Sequence, residues 1–156
     1  MSNEVTVTRL NYRGMPVSVS IFIAAAIALA PAAAADTADT VRTAVGGARG
    51  DCRPLRPSPM MDQAAAQINK TTDDWINFTS RSLPETDALP VLKDLGYGGS
   101  TSAILSAASA TEVGVVKATL LQGYAKIPDC SYSDIGVSTT YNQRKRLILT
   151  TVVLAG

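Results

Sequence analysis

Residues 120–137, "LLQGYAKIPDCSYSDIGV", do most to decide the fold of this chain. Apolar residues recur at helical spacing over residues 113–127, and the pair Pro128-Asp129 ends that pattern. Cys130, one of two cysteines, follows directly, and the residues then alternate as they do in a strand. The stretch predicts a helix, a cysteine-containing loop and a strand. It leaves open whether the loop is a working site or a structural link.

Two runs of alternating residues, 135–141 and 147–153, lie on the C-terminal side of this loop. The polar tip "NQRK" joins them, which predicts a β-hairpin. The second run is apolar on both of its sides, as in a strand that is buried between two neighbours. The basic residues Arg144, Lys145 and Arg146 are interpreted as a solvated hairpin tip.

On the N-terminal side, Pro59 begins a helical pattern in which Met61, Ala65, Ile68 and Trp75 share one face. Trp75 is expected to anchor the core. A short helix over residues 90–95 and a strand over residues 102–106 follow. The predicted fold class is α+β, a small antiparallel three-stranded sheet covered by helices. This α-β-α sandwich has the order α-α-β-α-β-β.

The first 35 residues have the layout of an export signal. Arg9 and Arg13 precede an apolar run over residues 17–29, and Ala33 and Ala35 are placed for cleavage before residue 36. The apolar run is shorter than the roughly 20 residues that a transmembrane helix needs. The pattern predicts a cleaved signal peptide and a secreted or cell-envelope protein. Retention of the segment as an anchor, or a start at Met15, are the alternatives.

The predicted division is a signal peptide over residues 1–35, a flexible N-terminal lead over 36–57 and an α+β domain over 58–156. The lead carries three glycines and two prolines without sustained apolar periodicity. It includes the tripeptide "RGD" at residues 49–51, which matches a cell-adhesion motif and is interpreted as a chance match. In an exported chain, two cysteines predict one disulfide, Cys52–Cys130. A reactive or metal-binding thiol pair is the alternative.

Charge and composition argue against several functions. Removal of residues 1–35 leaves 121 residues with twelve basic and twelve acidic side chains. Over the whole mature chain, this balance predicts no electrostatic attraction to nucleic acid or to anionic membranes. No stable membrane insertion is expected after signal cleavage. The chain contains no histidine, so it has no imidazole base and no histidine-containing zinc site. We therefore predict a protein that is not an enzyme and that has no cofactor and no metal.

The predicted element order resembles the CAP superfamily, the cysteine-rich secretory, antigen 5 and pathogenesis-related-1 proteins. The resemblance covers residues 57–155. "MMDQAAAQIN" is similar to the first amphipathic helix of bacterial members. "GYAKIPDCSYSDIGV" is similar to their helix-ending motif, and its matching positions are Ile127, Tyr132, Ile135, Gly136 and Val137.

The chain departs from the family at the metal site of the central cleft. The motif's histidine falls at Gly123, and the family's acidic residue falls near Ser102. The metal ligands are therefore not carried over, and the resemblance implies a short bacterial-type member without them.

Two functional hypotheses follow from the resemblance. The first is a secreted binding protein that holds a lipid-like or other apolar ligand in the remnant of the family's cleft. Its candidate ligand-binding residues are Tyr97, Ser102, Leu121, Gln122 and Tyr124. The second is a protein-interaction module that faces the envelope or a host and has no small ligand.

Overall fold

The computed structural model describes residues 32–156. Within the predicted signal peptide, Arg9, Arg13 and the apolar run over residues 17–29 lie outside the described residues. In chain order the elements are α1 (Ala32–Gly47), β1 (Arg56–Pro57), α2 (Pro59–Ile76), α3 (Leu89–Asp94), β2 (Ser102–Ser109), α4 (Glu112–Gln122), β3 (Asp134–Asn142) and β4 (Leu147–Ala155). Among these helices, none has both the length and the apolar character that a membrane span requires.

The strands form one mixed sheet in the order β1-β3-β4-β2. β4 lies in the centre and pairs antiparallel with both β2 and β3, as the two-sided apolar pattern predicts. The α+β class is confirmed, but the expectation of three antiparallel strands is wrong. β1 adds a fourth strand, which is parallel to β3. It has only two residues, and one is a proline, so it carries no alternation by which the sequence would reveal it.

Helices cover both faces of the sheet, and each face has its own apolar core. Helices α2 and α3 pack on one face around Met61, Ile68, Leu92 and Val153. Helices α1 and α4 pack on the other, where the largest fully buried side chains are Val41, Val45, Leu105, Val115, Ile127, Ile135, Val152 and Leu154. Successive residues of β4 therefore point into different cores, which is why this strand is apolar on both sides.

Helix α1 is a correction to the flexible lead that was expected over residues 36–57. It runs through Gly47, and Val41 and Val45 are completely buried one turn apart. These are the only large apolar residues of α1, amid alanine, threonine and glycine, so the sequence shows no sustained period. The predicted cleavage point after Ala35 falls within α1, and cleavage there stays a prediction.

Helix α2 buries Met61, Ala65 and Ile68, as its pattern predicts. Trp75 was expected to anchor the core, but it is 44% exposed. Beyond Ile68 the contact of the helix with the sheet becomes polar. Asn69 is buried, accepts a hydrogen bond from the Thr151 hydroxyl at 3.3 Å and donates to strand β3. The apolar spacing in the sequence of α2 therefore continues to Trp75, although the helix packs against the apolar core only as far as Ile68.

Asp62 closes the open edge of the sheet beside β3. Its Oδ1 accepts the Val137 backbone N–H at 2.9 Å and a hydrogen bond from Arg42 Nη2 at 2.8 Å. Because β1 pairs only with Asp134 and Ile135, the Val137 N–H has no strand partner on that side. The carboxylate thus joins α1, α2 and β3 and satisfies a backbone donor that would cost free energy if it were left unpaired.

Arg49 and the disulfide fasten the loop that follows α4. Arg49 is 3% exposed, and its guanidinium donates to the carbonyl oxygens of Ile127 at 2.9 Å, Asp129 at 2.8 Å and Tyr132 at 2.8 Å. Cys52 and Cys130 form the predicted disulfide beside it. Because Arg49 is buried, the "RGD" tripeptide does not present its arginine at the surface.

We expect the unfolding free energy of the Cys52→Ser/Cys130→Ser variant to be lower by about 4 kcal/mol. The reason is that the bridge joins two cysteines that are 78 residues apart in the chain and so closes a long loop. Chemical denaturation of the oxidised wild type, the reduced wild type and the variant measures this loss. The reduced wild type should match the variant. A loss below about 1 kcal/mol in both would show that Arg49 holds the loop without the bridge.

Candidate functional site

An apolar groove lies between α1 and α4, on the outer side of their shared core. It encloses about 710 Å³. Its lining residues are Thr40, Glu112, Val113, Val116, Lys117, Leu120 and Leu121. Both helices rest on the sheet, so the groove's floor is the seam where they meet.

Helix α4 carries apolar side chains on the face that packs against the core and also on the face that lines the groove. It turns Val115 and Thr119 fully into the core, and Leu120 packs against the core's margin. Val113 remains 81% exposed and Leu121 65% exposed. A surface helix ordinarily keeps such positions polar, so the exposed apolar strip makes this groove the candidate binding surface.

Two charged side chains border the strip. Glu112 stands in the first turn of α4, directly after Thr111, whose hydroxyl accepts the Gly114 N–H at 3.1 Å and caps the helix. Lys117 lies in the middle of the lining and makes no ion pair within residues 32–156. The groove therefore offers one uncompensated ammonium beside an apolar wall.

The structure does not bring the five predicted ligand-binding residues together. Leu121 lines the groove, whereas Gln122 and Tyr124 are exposed near the C-terminal end of α4 and do not line it. Tyr97 and Ser102 belong to the opposite face of the sheet. The sheet lies between Tyr97 on one side and Leu121 and Tyr124 on the other, so these residues do not line one cleft. Their spacing along the chain does not reveal on which face of the sheet each one lies.

Gly123 is the residue at which the family resemblance places a histidine. A Cβ atom built at this glycine would lie 2.6 Å from Ile127 Cδ1 and 2.7 Å from Leu105 Cδ1. The position that the family motif gives to histidine is therefore filled by core side chains. Ser102, at the acidic position, donates its hydroxyl to Asp87 at 2.9 Å instead. Within the described part of the chain no three Cys, Asp or Glu side chains gather as a metal site would require.

Tyr97 belongs to a polar cluster at the edge of the sheet. Its hydroxyl donates to Asp134 Oδ2 at 2.9 Å, and Arg56 Nε lies 3.1 Å from the other carboxylate oxygen. Burial, and then the hydrogen bond to Asp134, raise the pKa of Tyr97 to about 12. The pKa of Asp134 lies below its ordinary value. Burial acts to raise this pKa, but hydrogen bonds from Tyr97, Ser133 and Arg56 stabilise the carboxylate and outweigh the effect of burial. The cluster holds β1 against β3.

We expect Gly123→Ala to lower the unfolding free energy by about 1–3 kcal/mol, because the new methyl group overpacks the contact with Leu105 and Ile127. The backbone of Gly123 suits alanine (φ −86°), so the loss comes from packing alone. Gly98→Ala is the matched control, since nothing lies within 4 Å of its Cβ position. Chemical denaturation compares the two, and equal stabilities would contradict the packing account.

Tyr97 should make the fold sensitive to alkaline pH. Its contribution is complete below the unfolded pKa near 10 and is lost as the pH rises through the folded pKa of about 12, because the unfolded state releases its proton first. Wild-type stability should therefore fall more between pH 9 and pH 11 than the stability of Tyr97→Phe. Urea denaturation at both pH values measures the difference. Parallel losses in the two proteins would refute it.

Two solved structures share this fold. An outer surface protein of Borrelia burgdorferi superposes with a TM-score of 0.62 at 12% sequence identity, over 77% of this chain and 92% of that one. A cysteine-rich secretory protein of Staphylococcus aureus subsp. aureus Mu50 superposes with a TM-score of 0.59 at 11% identity, over 81% of this chain. This chain spans 40% of the length of the staphylococcal protein.

No protein-family model matches the sequence, and no curated protein matches it. At 11% and 12% identity the likeness to the two structures is one of fold. The architecture is thus similar to that of a cysteine-rich secretory protein.

Proposed function

We propose that this protein is an extracytoplasmic, non-catalytic binding protein that holds an apolar chain in the groove between α1 and α4. The exposed apolar strip around Val113 and Leu121 carries the proposal. The proposal includes membership of the CAP superfamily, as a short bacterial-type member without the metal-binding histidines.

The compartment follows from the disulfide. A bridge such as Cys52–Cys130 forms and persists in oxidising surroundings outside the cytoplasm. The predicted signal peptide over residues 1–35 supports the same location. So do the two proteins that share the fold, one an outer surface protein and the other a secretory protein.

The ligand class follows from the lining. Apolar surface that leaves water stabilises a complex by about 0.8 kcal/mol per methylene group, so an acyl chain along Val116, Leu120 and Leu121 gains from each carbon it buries. Lys117 supplies a positive charge for a carboxylate or phosphate head group. Glu112, in the first turn of α4, repels such a head group, so the chain is favoured in the direction that leads from Lys117 along Leu120 and Leu121.

The described lining of the groove is mainly apolar. It includes neither serine, cysteine nor histidine, and its polar side chains are Thr40, Glu112 and Lys117. Such a lining suits the binding of an apolar ligand, and we propose binding without turnover.

The alternative is a protein-interaction module with no small ligand. The same exposed side chains, Val113 and Leu121, suit an amphipathic helix of a partner laid along the groove. The two functions differ in whether the purified protein takes up a fatty acid.

We expect the wild type to bind a fluorescent polyunsaturated fatty acid saturably and Leu121→Glu to bind it at least tenfold more weakly, because the charge and the lost apolar contact both oppose the chain. Leu83→Glu is the matched control, since Leu83 is 74% exposed but does not line the groove. Fluorescence titration measures both, and circular dichroism checks folding. Equal losses in the two variants would refute the groove as the site.

The Lys117→Gln variant distinguishes the contribution of the ligand's head group to binding from that of its apolar chain. It should weaken binding of a fatty acid by up to about fivefold and leave binding of the matching fatty alcohol unchanged. Absence of saturable fatty-acid binding, together with an unshifted mass in native mass spectrometry, would favour the interaction module instead.

A further inference from the structure

A second surface combines exposed aromatic rings with positive charge. It is formed by the end of α2 and the tip of the β3–β4 hairpin, and we name it the basic–aromatic platform: Trp75, Phe78, Arg144, Lys145 and Arg146. Phe78 is 87% exposed and Trp75 is 44% exposed. None of the five lines the groove between α1 and α4.

Hydrogen bonds of Asn142 join the two segments of the platform. Asn142, only 2% exposed, donates to Asp73 Oδ1 at 2.6 Å and to Asn77 Oδ1 at 3.1 Å. Its own side-chain oxygen accepts the Lys145 backbone N–H at 2.7 Å. Asn142 therefore fixes the backbone of the hairpin tip to the last turn of α2, which keeps the rings and the cations on one surface.

Two residues of the platform have a left-handed backbone conformation, and one of them, Phe78, directly follows the C-cap of α2. Phe78 and Arg146 have φ values of 59° and 52°, and they are the two non-glycine residues with positive φ within residues 32–156. For a bulky side chain this conformation costs of order 1 kcal/mol, and proteins keep such strain mainly at functional sites. A glycine or asparagine would meet the same turn at lower cost, so the phenylalanine ring itself needs an explanation.

The positive charges of the platform are not neutralised. Arg144, Lys145 and Arg146 make no ion pair within the described residues, and Lys145 Nζ lies 5.5 Å from the Phe78 ring centroid. Of the two neighbouring acids on α2, Asp74 pairs with Lys70. Asp73 accepts hydrogen bonds from the neutral amides of Asn142 and Asn77, and it leaves the platform with an excess of positive charge.

We propose that the basic–aromatic platform docks the protein onto an anionic bilayer surface. Aromatic rings favour the head-group level of a bilayer, and each lysine or arginine near an anionic leaflet adds attraction. In the extracytoplasmic location that we propose from the disulfide, envelope lipids are within reach of the protein. Three cations suit a lipid surface better than a nucleic acid, because the chain as a whole has almost no net charge to track a phosphate backbone.

The docking is peripheral. Only side chains at one tip are exposed for it, and no described helix is fit to span a membrane. The inference is separate from lipid binding in the groove, which lies between helices on the other face of the sheet. Either proposal can fail while the other holds.

The test is flotation of the purified mature protein with vesicles. Binding to phosphatidylglycerol–phosphatidylcholine vesicles should exceed binding to pure phosphatidylcholine vesicles at 0.1 M salt and largely vanish at 1 M salt, where the Debye length shortens from about 10 Å to 3 Å. Trp75 is the single tryptophan, so its emission should shift to the blue on binding. Equal binding to both vesicle types, or none to either, overturns the proposal.

Matched variants locate the contact. Phe78→Asn suits the left-handed backbone and should weaken vesicle binding about tenfold, whereas Tyr124→Asn, which removes a ring of 78% exposure elsewhere, should not. Arg144→Gln/Lys145→Gln should weaken binding by about fivefold for each charge removed, while Arg53→Gln/Lys126→Gln, which removes two exposed charges outside both surfaces, should have less effect. Equal effects of platform and control variants, or binding of an oligonucleotide instead of vesicles, refute the platform as a bilayer contact.

Discussion

The buried guanidinium of Arg49 is the interaction on which the rest of the structure depends. A charge with almost no exposure to water must be compensated, and here three carbonyl oxygens of one loop compensate it. These carbonyls belong to the segment between α4 and β3, which includes Cys130. Arg49 and the disulfide therefore tie the end of α1 to the chain that leaves α4, and they place β1 beside β3.

The link through Arg49 and the disulfide joins α1 to the loop after α4, and these two helices cover one face of the sheet. Because α1 and the end of α4 are joined through one loop, they pack side by side over the core of Val41, Val45 and Val115. Helix α4 is apolar beyond what this contact buries, so Val113 and Leu121 remain at the surface. The groove is thus a consequence of how a short apolar helix is anchored, and not of a loop shaped around a ligand.

The fold is similar to that of a cysteine-rich secretory protein, but the residues that the family resemblance assigns to a cleft do not come together in it. Gly123 packs on Leu105 and Ile127, where the family resemblance places a histidine, and Tyr97 is committed to Asp134. The surfaces that remain for binding are an apolar groove on one face and a basic–aromatic tip at the end of α2. They have different chemistries, and we propose that one takes an acyl chain and the other meets a lipid surface.

The sequence by itself determined the hairpin, the central strand, the disulfide and the lack of an imidazole, because these depend on local alternation or on composition. Tertiary structure decided the rest. The sequence of α1 has only two large apolar residues, Val41 and Val45, which is too few to predict a helix that packs in the core. Strand β1 has only two residues, which is too short to show the alternation of a strand. Nor does spacing tell which side of the sheet Tyr97 and Leu121 occupy. Burial of Arg49, exposure of Trp75 and the clustering of Phe78 with Lys145 all depend on contacts between segments far apart in the chain, which no local pattern records.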